Sequence, residues 1–271
     1  MIKKILSGSW IGIVLLFMYS PILILAVYSF MDTPVIGGTG SFSLQNYITL
    51  FTSEELMDMI IGTLTLALQC AVISTILGTL GAIGAFYSKK GMRGFVSTSN
   101  QIPVVNADVV TGFSICVLMI VVFGVNKDSF IPLITGHVVL ATPFVYLSVM
   151  PKLKQMDRNL YEAALDLGAS ARQALMKITI PQIMPGIVSG FLLAVTLSLD
   201  DYFVTTYTKP ATFNTISTYV VNATKGSNTE LKTALWALST LIFVIILLVV
   251  LVSNISASRK EGGEENVKNE I

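Results

Sequence analysis

Residues 157–181 read Asp157-Arg158-Asn159-Leu160-Tyr161-Glu162-Ala163-Ala164-Leu165-Asp166-Leu167-Gly168-Ala169-Ser170-Ala171-Arg172-Gln173-Ala174-Leu175-Met176-Lys177-Ile178-Thr179-Ile180-Pro181. This polar, helix-forming stretch lies between two long apolar runs. Asp157 suits an N-cap, because its carboxylate can accept from the first free N–H groups of a helix. The helix would run from Arg158 to Leu167. Gly168 then stands where a helix ends in left-handed geometry, which glycine adopts without a Cβ clash. Ser170 followed by Gln173 has the spacing of a capping box, which restarts a helix. Pro181 is expected to stop that second helix, since its ring and missing N–H break the ladder. The sequence predicts helix, sharp turn, helix.

Leu160, Ala163, Ala164 and Leu167 recur every three or four residues and share one face of the first helix. Ala171, Leu175 and Ile178 do the same on the second. Such a face packs either on the protein's own spans or in a groove of a partner.

Working outward, a bilayer core takes about 20 mostly apolar residues as helix. Six segments meet this, near Trp10–Phe30, Ile60–Tyr87, Val104–Gly124, Ile131–Met150, Ile183–Val204 and Ala234–Ser253. The first follows Lys3 and Lys4 but is too long for a signal-peptide core and precedes no clear cleavage site. It reads as a retained span. A cytoplasmic N-terminus leaves only Lys127, Lys209, Lys225 and Lys232, of 17 Lys and Arg, outside. The positive-inside bias therefore places both termini in the cytoplasm. The tail 257–271 is polar and reads as disordered. The expectation is an all-α integral membrane protein, a single transmembrane domain over 1–271 with six helices and a cytoplasmic loop at 157–181.

Composition agrees. The chain is 53% hydrophobic and 12% charged, with net charge +1 and mean hydropathy +0.75. A soluble domain carries about 25% charged residues. The charge balance gives no reason to expect nucleic acid as a partner. Cys70 and Cys116 each lie in an apolar run, without metal-ligand spacing, so no metal site is expected. Gly78, Gly81 and Gly84 recur at helical spacing in the second span, a small face for close helix approach in lipid.

The run Glu162-Ala163-Ala164, with Gly168 four residues after Ala164 and Ile178-Thr179-Ile180-Pro181 ten residues further on, resembles the cytoplasmic EAA loop of ABC importer permeases. Ile180 stands where the family pattern has Leu. The resemblance implies the type I importer permease fold. It implies that Glu162, Ala163, Ala164, Gly168, Ile178 and Pro181 couple the chain to an ATPase. Glu162 would make a polar contact at the ATPase surface, the alanines would permit close approach, and Gly168 would form the turn. The chain has no G-x-x-x-x-G-K-[ST] phosphate loop, so no catalytic residue and no cofactor are expected within it. ATP and Mg would be bound by the partner.

Asp108 lies at the start of the third span, and Asp200 and Asp201 in the outer part of the fifth. An ionisable residue in a span costs roughly 2.5–3.5 kcal/mol at the helix centre and marks function by default. No Lys or Arg lies deep in any span, so a cationic passenger could neutralise them. Read as one helix, Asp201 shares a face with Leu197, Thr205 and Thr208, and Asp200 with Thr196, Phe203 and Tyr207. A carboxylate beside aromatic rings suits an alkylammonium. The other reading is that these aspartates cap a helix end or bond a Ser or Thr. Tyr202, Tyr207 and Tyr219 could line an outer gate; Tyr219 and Trp236 could equally be interfacial anchors. His137, the only histidine, reads as a structural residue, with no carboxylate partner evident.

With Ile102-Pro103 opening the third span and Leu197-Ser198-Leu199-Asp200-Asp201 in the fifth, the whole chain is similar to the second permease subunit of spermidine/putrescine ABC importers. That resemblance implies a heterodimer with a second permease, two copies of an ATP-binding subunit, an extracytoplasmic polyamine-binding protein, and the bacterial cytoplasmic (inner) membrane as location. Asp108, Asp200, Asp201, Tyr202, Phe203, Tyr207 and Tyr219 are the candidate substrate pathway. The alternatives are an importer for another small solute, or a proton- or sodium-driven transporter using His137.

Overall fold

The structure, a computed structural model, describes residues 2–33, 37–225, 233–244 and 247. The predicted tail 257–271 and most of the predicted sixth span beyond Val244 lie outside the described residues. Among the described residues the chain is helical, with a lone antiparallel bridge between Met31 and Phe42. It divides into two compact units, Asp58–Val221 and the pairing of Met1–Met57 with Asn222–Ile271.

In the terminal unit, α1 (Ile2–Ser29) and α12 (Thr233–Val244) are apolar helices. Tyr28 meets Trp236 edge-on at 6.1 Å and Tyr19 approaches Phe243 at 6.5 Å, so the two helices run antiparallel. The short helix α2 (Gln45–Thr52) supplies Asn46, whose Nδ2 donates to the carbonyls of Ser29 and Met31 at 3.0 and 3.2 Å. That satisfies carbonyls freed by the end of α1.

The other unit is built around α6 (Ile131–Gln155). α3 (Glu54–Tyr87) runs parallel to it: Cys70 Sγ faces the Ile134 carbonyl, and a Cβ at Gly78 would lie 2.7 Å from Val145 and 2.9 Å from the Thr142 carbonyl. α9 (Ile180–Asp200) runs antiparallel, with Gly186 against Val149 and Lys152 and Gly190 against Val145. Val145, fully buried, is therefore gripped by one glycine from each neighbour. Small residues let backbones close in where no hydrophobic effect drives helices together. Of the predicted glycine stripe only Gly78 serves this purpose; a Cβ at Gly84 would meet nothing within 4 Å.

Because α3 and α6 run parallel, the chain between them makes one net return. It does so through α4 (Lys90–Val105) and α5 (Asp108–Val117), which continues as a π turn over Leu118–Val122. The two helices bend by 106° at Asn106–Ala107. This corrects the predicted third span at Val104–Gly124: Pro103 lies within α4, and the apolar helix starts at Asp108. Among the described residues, by length and composition, four helices are able to span a bilayer, or five when this bent pair counts as one broken span.

The predicted fifth span also changes at both ends. α8 (Ala171–Ala174) passes through a π turn, Leu175–Thr179, directly into α9. Pro181 therefore does not stop the second helix; it sits in the first turn of α9, where its missing N–H is tolerated. At the other end α9 stops at Asp200, not Val204, and α10 (Phe203–Thr208) and α11 (Ile216–Lys225) follow.

Candidate functional site

Two places combine exposed chemistry with special backbone. The first is the helix–turn–helix of α7 (Arg158–Asp166) and α8. The Asp157 carboxylate accepts from Asn159 N–H at 3.0 Å and caps α7. Gly168 has φ +86°. Its N–H donates to the Leu165 carbonyl at 2.9 Å, and Ala169 N–H donates to the Ala164 carbonyl at 3.0 Å. These paired bonds form a Schellman motif. Ser170 Oγ accepts from Gln173 N–H at 3.3 Å, and Gln173 Oε1 accepts from Ser170 N–H at 2.8 Å, closing the capping box. Local chemistry thus sets the turn, and Glu162, Ala163 and Gly168 stand exposed on it. Leu160 and Leu165 are exposed, Leu167 is 90% exposed and Met176 56%. Ala164 and Ile178 are half-buried.

The second place is where two broken helices meet the N-terminal half of α6. A Cβ at Gly112 of α5 would lie 2.8 Å from Val204 Cα, and one at Gly136 of α6 would lie 2.5 Å from Val204 Cγ1. Val204 of α10, fully buried, is clamped between them. Lower down, Asn100 Nδ2 of α4 donates to the Pro143 carbonyl in mid-α6 at 3.4 Å. α4 buries none of its residues. An open groove of about 570 Å³ runs along it, lined by Thr98, Gln101, Ile102, Val105 and Asn106. Beyond the bend, Asn106 Nδ2 donates to Thr111 Oγ1 at 3.0 Å.

The three acidic residues part company here. Asp108 is exposed in the first turn of α5, and Asp200 is exposed at the last residue of α9. Asp201 is 8% exposed and fully engaged. Its Oδ1 accepts from Val204 N–H at 3.2 Å, and its Oδ2 accepts from Thr205 N–H at 2.6 Å and Thr205 Oγ1–H at 2.7 Å. The Asp201 carbonyl accepts from Ser217 Oγ at 2.5 Å. His137 Nε2 stands 3.7 Å from Asp201 Oδ2, so the histidine has the carboxylate neighbour that sequence reasoning missed. Nothing in a separation of 64 positions signals that pair. The break at Asp201 also ends the helical face on which Asp200 was grouped with Phe203 and Tyr207.

Phe203 and Tyr207 are exposed, and Tyr207 meets Phe113 of α5 edge-on at 5.9 Å. Tyr202 packs on Phe203 at 5.2 Å; Tyr202 and Tyr219 are half-buried. Past α10, Lys209 Nζ donates to the Phe213 carbonyl at 2.7 Å and Asn214 Oδ1 at 3.0 Å. Burial holds its ammonium below the ordinary lysine value.

A family model described as binding-protein-dependent transport system inner membrane component matches residues 74–260. The match covers α6, the helix–turn–helix and both helix breaks. This chain belongs to that family. As a binding-protein-dependent inner membrane component it is a multi-pass permease subunit of an ABC importer. Among its relatives is the putrescine transport system permease protein PotI of Escherichia coli (strain K12), 32% identical over 249 residues, 88% of this chain and 87% of the relative. Another is the spermidine/putrescine transport system permease protein PotC of the same organism, 30% identical over 264 residues, 97% of this chain and 98% of the relative. The fold is similar to a solved bacterial ABC transporter involved in the import of the acidic polysaccharide alginate, at TM-score 0.72 and 23% identity over 95% of both chains. It is similar to a second such structure, an alginate transporter in complex with its alginate pentasaccharide-bound periplasmic protein, at TM-score 0.71 and 20% identity over 91% of both.

Proposed function

We propose that this permease pairs with a second permease to form the passage of an ATP-driven polyamine importer. The carrying observation is the bent pair α4–α5. Its bend at Asn106–Ala107 is exposed, and although Val96 and Asn100 touch the core and α6, α4 has no fully buried residue and presents a face that its own chain leaves open. Irregular backbone at membrane depth is tolerated only against protein or a water-filled cavity. That face therefore belongs to a passage shared with a partner subunit. Both termini are assigned to the cytoplasm, with six spans in all.

The relatives PotI and PotC support polyamine as cargo, and so does the charge distribution. Asp108 and Asp200 are exposed carboxylates, and no Lys or Arg lies in 104–126 or 178–208. The two are not equivalent. Asp108 stands at the positive N-terminal end of α5, where the helix dipole already favours its charge. Asp200 stands at the negative C-terminal end of α9, where the dipole opposes it by about 0.3–1 kcal/mol. Asp200 gains most from a passing ammonium; past the break, Phe203 and Tyr207 of α10 offer exposed rings, and Tyr202 a half-buried one, for a separate cation–π contact. Tyr219 lines the outer gate.

On the cytoplasmic side, residues 157–181 dock one of two ATP-binding subunits, which hold ATP and Mg. The exposed Leu160, Leu165 and Leu167 around Glu162 support a helix-in-groove contact. Ile178 and Pro181 join that peg to α9. An extracytoplasmic polyamine-binding protein delivers the cargo. The test is uptake of labelled spermidine and putrescine in cells lacking the gene, with and without its restoration. Restored uptake is expected. Unchanged uptake, with the protein in the membrane beside its partner subunits, refutes polyamine as the cargo and leaves the importer class in place.

A further inference from the structure

From the docking turn to the passage there is one continuous rod. Helix runs without interruption from Ala171 through the π turn and α9 to Asp200, 30 residues. It then ends abruptly, and what receives its end is a closed set of side chains. The Asp201 carboxylate takes two of the free N–H groups at the start of α10, from Val204 and Thr205. Thr205 Oγ1 donates to Asp201 and lies 3.3 Å from His137 Nε2 on α6. His137 Nδ1 faces the Leu133 carbonyl at 2.9 Å; a carbonyl only accepts, so Nδ1 donates. This fixes the ring with Nε2 directed at Thr205 and Asp201. Ser217 Oγ of α11 donates to the Asp201 carbonyl. His137 and Thr205 are almost wholly buried.

We propose that Asp201, Thr205 and His137 form a knuckle that transmits movement of the α8–α9 rod to α10, and that Asp201 is a positioning residue and not a cation contact. A helix end held only by apolar packing would slide when its far end moves. Here the last residue of the rod is followed at once by a side chain that holds the first turn of the next helix through three hydrogen bonds, two of them to backbone. A buried bond network of this kind has discrete arrangements and not a continuum of them. A push at the docking turn is therefore delivered to α10, which carries Phe203 and Tyr207. The same carboxylate is turned away from a passing cation, since it is buried and accepts three hydrogen bonds inside the protein. The inference rests on the docking role proposed for 157–181 and is independent of the cargo.

The test uses the whole complex in lipid bilayers: this chain, its second permease and the ATPase. Native Cys70 and Cys116 are replaced by Ala, and the exposed α10 residue Thr206 becomes the reporter, Thr206→Cys. The rate of maleimide labelling is read with and without ATP plus vanadate. The reporter complex is expected to change its rate by about fivefold or more between the two states, the lower end of ordinary coupling. Asp201→Asn and the near-isosteric Thr205→Val are expected to lose that response while still hydrolysing ATP, and Thr205→Ser to keep it. A full response in both Asp201→Asn and Thr205→Val overturns the knuckle, as does a reporter that never responds. If Asp201→Asn does not assemble, Thr205→Val decides. Glu162→Lys in the same background separates the two readings: response lost there but kept at Asp201→Asn and Thr205→Val refutes the knuckle alone.

Discussion

Replacing Gly168 by Ala isolates a single physical effect. Gly168 has φ +86°, and a Cβ built there meets nothing within 4 Å. No steric clash arises, so the whole cost is the left-handed backbone, about 1–2 kcal/mol for an L-residue. The helix pair is exposed and held largely by its own caps, so its local stability is low and the cost falls on local opening. An equilibrium shift of that size is about 5–30-fold. The amides to watch are Gly168 and Ala169, which donate to Leu165 and Ala164. Their hydrogen-exchange protection is expected to fall by that factor in Gly168→Ala. Gly168→Asn should lose less, because Asn enters the left-handed region more easily. Uptake should rank the same way: wild type, then Asn, then Ala. Unchanged protection in the Ala variant, or equal loss in Ala and Asn, would refute the reasoning. Lost protection with uptake intact would keep the turn and remove its role in docking.

Glu162→Lys should abolish uptake with membrane insertion unchanged, read by transport alongside quantitation of the protein in membranes. Asp200→Asn should raise the KM for labelled putrescine by about tenfold or more, the size of one charge-assisted contact. Asp108→Asn should raise it less, since the α5 dipole already satisfies that carboxylate; equal effects would defeat the dipole argument. Gly78→Val places a side chain where a Cβ alone is 2.7 Å from Val145. It should destabilise the α3–α6 contact by about 1–3 kcal/mol or more, seen as a lower melting temperature in detergent.

Local signals in the sequence were readable, and tertiary ones were not. Asp157, Gly168 and the Ser170–Gln173 box act within five residues, so their chemistry is written in the string and the structure realises each one. The long apolar runs gave their helices for the same reason. The breaks were harder. Asn106 and Asp108 are both residues that favour helix starts, a signal masked by the apolar run around them. At Asp200-Asp201 the helical period continues smoothly on paper, and the break exists because Asp201 finds Thr205, Ser217 and His137 from three other elements. Likewise Gly112 and Gly136 suit Val204, Gly186 suits Val149 and Gly190 suits Val145, all on other helices, which no single segment reveals. Pro181 misled because a proline reads as a stop; only the preceding π turn shows that it begins α9.

The two breaks solve one problem in opposite ways. Ending a helix inside a membrane frees N–H and C=O groups that lipid cannot satisfy. At Asp201 the chain answers from within: a carboxylate takes two N–H groups, a serine covers the carbonyl, and the junction is buried beside a histidine. Such a junction is closed to any passenger and suited to carrying force. At Asn106–Ala107 the chain answers only in part. Asn106 reaches Thr111, while the junction and one face of α4 stay exposed along an uncharged groove. That junction needs water or another subunit to complete it, which is what a passage between two permeases supplies. Asp200 and Asp108 stand at the ends of helices opened by these breaks. Of the three carboxylates the fold thus uses Asp201 for itself and leaves its sequence neighbour Asp200, with Asp108, exposed.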